Sequence, residues 1–194
     1  MRMSDKIEMQ KDRMDCIIEW VRTCDNKTSI IMTITLLVPS FVIGTDWVLE
    51  RLERVISLAK DAYICDGEGY YFSIWNFSSL FFFVVTIFLG GMSLMYFIKV
   101  LKANTKEDTY DKDIKKDSLV HFNFISTIDN FETYKQLADG EKEDSYYEDL
   151  LSQTYINAKR CAEKFADYNK GICWLSGAVI SLVLFIVSLF FVVI

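Results

Sequence analysis

Apolar and polar positions separate into long blocks along the 194 residues. Three windows are almost free of charge: 28–49, Ile74–Leu101 and 172–194. Each reaches the roughly 20 residues that a helix needs to cross about 30 Å of hydrocarbon. A chain this short cannot wrap three such helices in protein on every side, so the pattern predicts three transmembrane helices. The first window begins too far from the start and lacks a clean small-x-small site, so it is expected to stay as a helix rather than be cleaved as a signal peptide. Pro39 lies inside it, removes one backbone donor and predicts a kink near Ile34 and Thr35.

The blocks between the windows carry a helical rhythm. Residues 5–27 place Ile7, Met14, Ile17, Ile18, Val21 and Cys24 at three- and four-residue steps among charges. This predicts an amphipathic helix that feeds the first span and packs against other cytoplasmic helices. The even mix of acid and base on its polar face does not suit anionic lipid. Leu119, His121, Phe122, Phe124 and Ile125 form an aromatic-aliphatic knot. Asp129 followed by Glu132 reads as a capping box opening a short helix that runs to Ala138 and stops at Asp139-Gly140. A long helix starts near Ser145, with Tyr147, Leu150, Leu151, Tyr155, Ala158, Cys161, Ala162, Phe165 and Tyr168 in step. Nothing need end it at Gly171. Residues 145–194 then form one rod of about 75 Å at 1.5 Å per residue.

The expected organisation is an N-terminal cytoplasmic amphipathic helix (1–27), transmembrane helix 1 (28–49), an external loop (50–73), transmembrane helix 2 (74–101), a cytoplasmic helical sensor region (102–171) and transmembrane helix 3 (172–194). The fold class is all-α, an integral membrane protein whose last cytoplasmic helix is continuous with its last span. Basic residues set the orientation. Six fall in 1–27, three in 50–73 and twelve in 99–171, which places the N-terminus and 102–171 in the cytoplasm and the C-terminus outside. Trp47, Trp75 and Trp174 lie at span ends, where interfacial anchors belong. The mixed-charge run 102–117 reads as a linker or a solvated helix end.

Composition narrows the chemistry. The chain is 52% hydrophobic yet 25% charged, with a mean hydropathy of +0.19, as segregation into lipid and water requires. A net charge of -6 argues against a general nucleic-acid binder. Five cysteines without a CxxC pair make neither a disulfide framework nor a zinc site. His121 is the only histidine, so HExxH is excluded. No dinucleotide or phosphate-binding glycine loop occurs, and Asp66-Gly67-Glu68-Gly69 reads as a turn. No catalytic residue, metal site or cofactor is expected, and the chain is not read as an enzyme. Central charges are absent from the spans, which disfavours an ion-selective channel. Gly90-Gly91-x-Ser93 and Ser176-Gly177-Ala178 offer close helix contact, either within one chain or between copies.

Several runs resemble a known family. Phe122-Asn123-Phe124-Ile125 is followed by Tyr134-x-x-Leu137, then by Gln153-Thr154-Tyr155-Ile156-Asn157-Ala158-Lys159 and Lys164. Asp25-Asn26-Lys27-Thr28-Ser29 leads directly into a span. Together, in this order around three spans, they resemble the Pycsar effector transmembrane family of bacterial antiphage systems, from about residue 15 to the end. The family often has Phe-Gly or Phe-Phe where this chain has Phe122-Asn123-Phe124, and no Gly-rich cassette of a cyclic-nucleotide-binding β-barrel is visible. The resemblance implies a response to cCMP or cUMP, made by a partner cyclase on infection. It further implies impairment of the bacterial inner membrane and abortive infection. A homo-oligomer is expected, because three spans cannot enclose a pore. The competing reading is a passive membrane scaffold or accessory subunit that recruits a cytoplasmic partner.

A cyclic nucleotide needs cations or helix-end amides for its phosphate, and aromatic faces and amides for its base. The sensor region offers Gln153, Asn157, Lys159, Arg160, Lys164, Tyr134, Tyr155 and His121. Gln153, Asn157, Arg160 and Lys164 follow a 4–3–4 spacing and line one helix face. That face serves equally as a solvated, salt-bridged surface, and His121 equally as a packed, hydrogen-bonded residue.

Overall fold

The computed structural model describes residues 2–64, 73–102 and 117–192, and within them the side chains of all but 61–64, Phe122 and Asn123. The run 102–117 and the turn at 66–69 therefore lie largely or wholly outside the described residues. Among these residues the secondary structure is helical throughout: α1 (Met3–Ile43), α2 (Asp46–Ile64), α3 (Ile74–Leu101), α4 (Phe122–Ser126), α5 (Phe131–Asp139) and α6 (Glu143–Phe190). α1, α3 and α6 are long and apolar enough to cross a membrane. The chain divides into two compact units. One comprises Met1–Asp25 with Lys102–Phe165, the other Asn26–Leu101 with Ala166–Ile194.

The second unit carries the apolar windows. Only 11% of the apolar window is buried in α1, 11% in α3 and 33% in α6, so most of this apolar surface is left for lipid. Hydroxyls inside these helices return to their own backbone. Thr33, Thr35 and Ser40 in α1 donate to the carbonyls of Ser29, Ile31 and Leu36. Ser78 and Thr86 in α3 do the same toward Ile74 and Phe82. A polar group in hydrocarbon costs several kcal/mol when unpaired, at about the scale of a lost hydrogen bond, and this back-bonding removes that cost.

α3 and α6 run antiparallel, and serines set their register. Ser93 Oγ donates to the carbonyl of Gly171 at 2.9 Å, Ser181 Oγ to that of Phe82 at 3.0 Å, and the hydroxyls of Ser188 and Ser79 lie 3.1 Å apart. Gly171 matters by its lack of a side chain: a Cβ there would sit 2.5 Å from the buried Phe97 ring. Helix α6 runs through it unbroken. Of the small residues singled out in the sequence, Ser93 and Ala178 are buried, and a Cβ on Gly177 would meet Leu89 at 3.3 Å. At Gly90 and Gly91 a Cβ would meet nothing within 4 Å. Gly90 lines an apolar cavity of about 130 Å³ where α1, α3 and α6 meet beside Pro39.

Two sequence expectations change here. The segment expected as an external loop from residue 50 is helical to Ile64, and the first apolar helix ends at Ile43, with Trp47 to Leu49 already in α2. α2 forms because Val48, Leu52 and Val55 recur on one face and bury against Leu182, Phe185, Leu189 and Val192. Arg51 donates to the carbonyls of Leu189 (3.3 Å), in the last turn of α6, and Val192 (2.5 Å), just beyond it. Trp47 packs on Phe190 at 4.7 Å and Trp75 stacks on Phe191 at 4.5 Å, gathering two of the three span-end tryptophans here.

The first unit brings together the start of α1, the short helices and the start of α6. Buried Ser118 closes the turn ahead of α4 by accepting from the amides of Val120 and His121. The cap of α5 differs from expectation. Asn130, not Asp129, is the N-cap, extended at φ -154° and ψ 164°, and its side chain accepts from the Thr133 amide at 2.9 Å. Glu132 therefore falls one position short of a reciprocal capping box. α5 ends at Asp139 with Gly140 as its C-cap, and it buries none of its residues. α1 and α6 lie parallel in this unit, joined by Lys11 over the Tyr146 ring (5.4 Å), Trp20 against Phe165 (6.2 Å) and the Asp25–Lys164 ion pair (2.5 Å).

Candidate functional site

Helix geometry sorts the candidate residues on α6. At about 100° per residue, Gln153, Asn157, Arg160 and Lys164 fall within one quadrant, while Tyr155 and Lys159 fall on the opposite side. The burial pattern agrees. Gln153 is 4% exposed, Asn157, Arg160 and Lys164 are half-buried, and Tyr155 and Lys159 are exposed. The polar face read as one strip in the sequence thus points into the first unit. The strip of cations from Lys159 to Lys164 is split between two faces.

Each cation has a defined setting. Lys159 lies over the Tyr155 ring, 4.5 Å from its centroid, as an i,i+4 pair on the outer face. Lys164 is committed to Asp25, with side-chain exposures of 21% for Lys164 and 36% for Asp25. Next to it, burial pushes the Cys161 thiol above its ordinary range, and the Lys164 ammonium opposes that shift. Tyr134 is half-buried on α5 beside the exposed ring of Phe131 at 6.4 Å. His121 is half-buried just ahead of α4, and its backbone amide closes the Ser118 turn. These two candidates thus come from elements other than the α6 face.

One group on that face went unmarked in the sequence. Asp149, one turn before Gln153, is fully buried, and neither carboxylate oxygen has a hydrogen-bond partner. Gln10 on α1 is 2% exposed with its side-chain oxygen also unpartnered. A signal for Asp149 did exist: its helix neighbours at three and four residues are Ser145, Tyr146, Ser152 and Gln153, none of them a cation. Gln10 offers no such signal, since Arg13 and Lys6 flank it at helical spacing. Among the described residues no group of three or more His, Cys, Asp or Glu could hold a metal ion.

Comparison with known proteins bears on this arrangement. The model of the Pycsar effector protein domain matches residues 11–192. The chain belongs to this family. A relative from Gulbenkiania mobilis, the Pycsar effector protein GmPycTM, is 29% identical over 165 residues, covering 83% of this chain and 81% of that protein. No solved structure matches. Membership in the Pycsar effector family, with three apolar helices, makes this a membrane protein of antiphage defence. The match spans both units, so the buried polar face of α6 and the apolar end of the same helix belong to one family domain.

Proposed function

We propose that this Pycsar effector answers a cyclic pyrimidine mononucleotide, cCMP or cUMP, made by a partner cyclase, and then impairs the bacterial inner membrane so that growth stops before phage is released. The observation that carries the reading is the family match over residues 11–192. The N-terminus and the first unit face the cytoplasm, and the C-terminus faces outside. Copies assemble, because three spans of one chain cannot enclose a passage.

The α6 helix supplies a physical route. Its 48 residues form a single helix of about 72 Å at 1.5 Å per residue. A change at Gln153 or Asn157 therefore acts on the same helix as the apolar segment beyond Ile172. Arg160 and Lys164 are the cations for the phosphate, and Asp25 is its competitor. An anionic phosphate that reaches Lys164 replaces the Asp25 carboxylate and loosens α1 from α6. Tyr134, Tyr155, Lys159 and His121 are further candidates for the base and its surroundings.

Dye uptake by cells expressing the chain tests this reading. Added cCMP or cUMP is expected to raise uptake and collapse membrane potential, and Arg160→Ala with Lys164→Ala is expected to abolish the response. No response of the unmutated chain to either nucleotide contradicts the proposal. A response that survives the double substitution places the phosphate elsewhere.

A further inference from the structure

The first unit buries an excess of acceptors. Asp149 contributes two oxygens and Gln10 one, all inaccessible to water and all without a donor. Leaving such atoms unmet costs free energy, most of all for a carboxylate, which a native fold normally pairs with a cation or several N–H groups. Two features place these atoms near one another. Lys11 sits over the Tyr146 ring, which sets the α1 turn bearing Gln10 against the α6 turn that precedes Asp149. Gln153 follows Asp149 by one turn on the same face, is 4% exposed, and carries an amide that both donates and accepts. The missing component is a donor-bearing group, flat enough to enter between two parallel helices.

We infer that Asp149, with Gln10 and Gln153, reads the base of the cyclic nucleotide, and that this acceptor set selects cytosine over uracil. The inference rests on the cyclic-pyrimidine reading above and goes on to name the base. The polar edge of cytosine presents an amino group with two hydrogens, then two acceptors. The two hydrogens of the amino group go to one Asp149 oxygen and to the Gln10 oxygen, and the Gln153 amide donates to the ring nitrogen or the carbonyl. Carboxylates accept from the cytosine amino group in this way in nucleic-acid readers. Uracil carries a carbonyl oxygen at that position. Against Asp149 it sets lone pair against charge, and its single imide hydrogen leaves two of the three oxygens unmet, one more than cytosine does. Because Asp149 is fully enclosed, the base enters only as α1 and α6 part, and the unpaired carboxylate already weakens the closed arrangement.

Calorimetry on the detergent-purified full chain, with cCMP, cUMP and cGMP, tests the assignment. The expected result is binding of cCMP at least about tenfold tighter than cUMP. Asp149→Asn, whose amide can turn its N–H toward a carbonyl, is expected to erase or invert the preference between the two pyrimidines. Equal affinities, or tighter binding of cUMP or cGMP by the unmutated chain, overturn the assignment and require no variant. A cCMP preference that survives Asp149→Asn also overturns it, while leaving the nucleotide response intact. Binding of none of the three overturns both this inference and the reading beneath it. The thermal midpoint of Asp149→Asn without ligand gives a further readout. It rises if the buried charge is unpaired at rest, and a fall shows that the carboxylate has a partner and is not waiting for a base.

Discussion

Among the described residues, the two units differ in the buried groups they leave unmet: a single amide oxygen, on Asn76, in one, and the Asp149 carboxylate with the Gln10 oxygen in the other. In the unit that carries the apolar segments, serine and threonine hydroxyls bond within their helices, and Ser93 and Ser181 bridge α3 and α6 to backbone carbonyls. In the other unit, Asp149 and Gln10 are closed off from water with unmet oxygens. The contrast teaches where each part spends its stability. Hydrocarbon offers no substitute partner for a stray polar group, and the membrane hydroxyls are accordingly paired at rest, with the Asn76 oxygen at the start of α3 left unmet. A water-facing bundle can keep unmet groups if something else supplies their partners.

Substitutions can break or sharpen that contrast. The largest effect is expected from Gly171→Leu, which drives a side chain into the Phe97 ring where even a Cβ sits at 2.5 Å. Overpacking of this kind costs about 1–3 kcal/mol, and at a helix-helix seat the upper end is expected. Thermal unfolding in detergent measures it. A midpoint unchanged from that of the parent shows that the α3–α6 seam is looser than this contact implies.

Asp25→Ala comes next. It leaves the Lys164 ammonium half-buried without its partner. Partial exposure keeps the loss to about 1 kcal/mol, near the top of the range for exposed pairs. A double-mutant cycle with Lys164→Ala isolates the pair term, and a coupling of zero shows that the pair does not hold α1 to α6. Asn130→Ala removes the one side-chain cap of α5 and is expected to cost about 1 kcal/mol locally. Because α5 buries none of its residues, the change is expected as faster amide exchange over Phe131–Asp139, with little shift of the global midpoint. The smallest effect is expected from Ser181→Ala. One interhelical hydrogen bond is worth about 0.6 kcal/mol on average in a membrane bundle. A loss several times larger makes the serine register, rather than Phe97 and Gly171, the main fixture of the seam.

The membrane segments are legible in the sequence because lipid imposes a length and a composition that few other settings demand. Their ends are not. Asp46 and Trp47 read as the close of a span, yet Val48, Leu52 and Val55 find a partner surface on α6, and a new helix starts there. That partner lies more than a hundred residues away along the chain, beyond what local periodicity reports. The shifted cap of α5 has a more local origin. Asp129 and Asn130 are both capable caps, and the choice is made by the extended backbone at Asn130.

The candidate face shows the limit most clearly. Spacing places Gln153, Asn157, Arg160 and Lys164 together, since helix geometry alone fixes that. Which way the face turns depends on α1, and so does the commitment of Lys164 to Asp25. Asp149 has only a faint signal in the sequence, the lack of a cation at helical spacing, because an acid beside Glu148 on a charged helix ordinarily reaches water. Only its tertiary neighbours close it in.

A cyclic pyrimidine nucleotide is proposed to turn this chain against the membrane it occupies. Release of a trapped dye from phosphatidylethanolamine–phosphatidylglycerol vesicles carrying the purified chain measures this response. Addition of cCMP to the face that bears the first unit is expected to release the dye, with vesicles lacking protein unaffected. Retention of the dye at saturating cCMP and cUMP, with the chain folded and inserted, would contradict it.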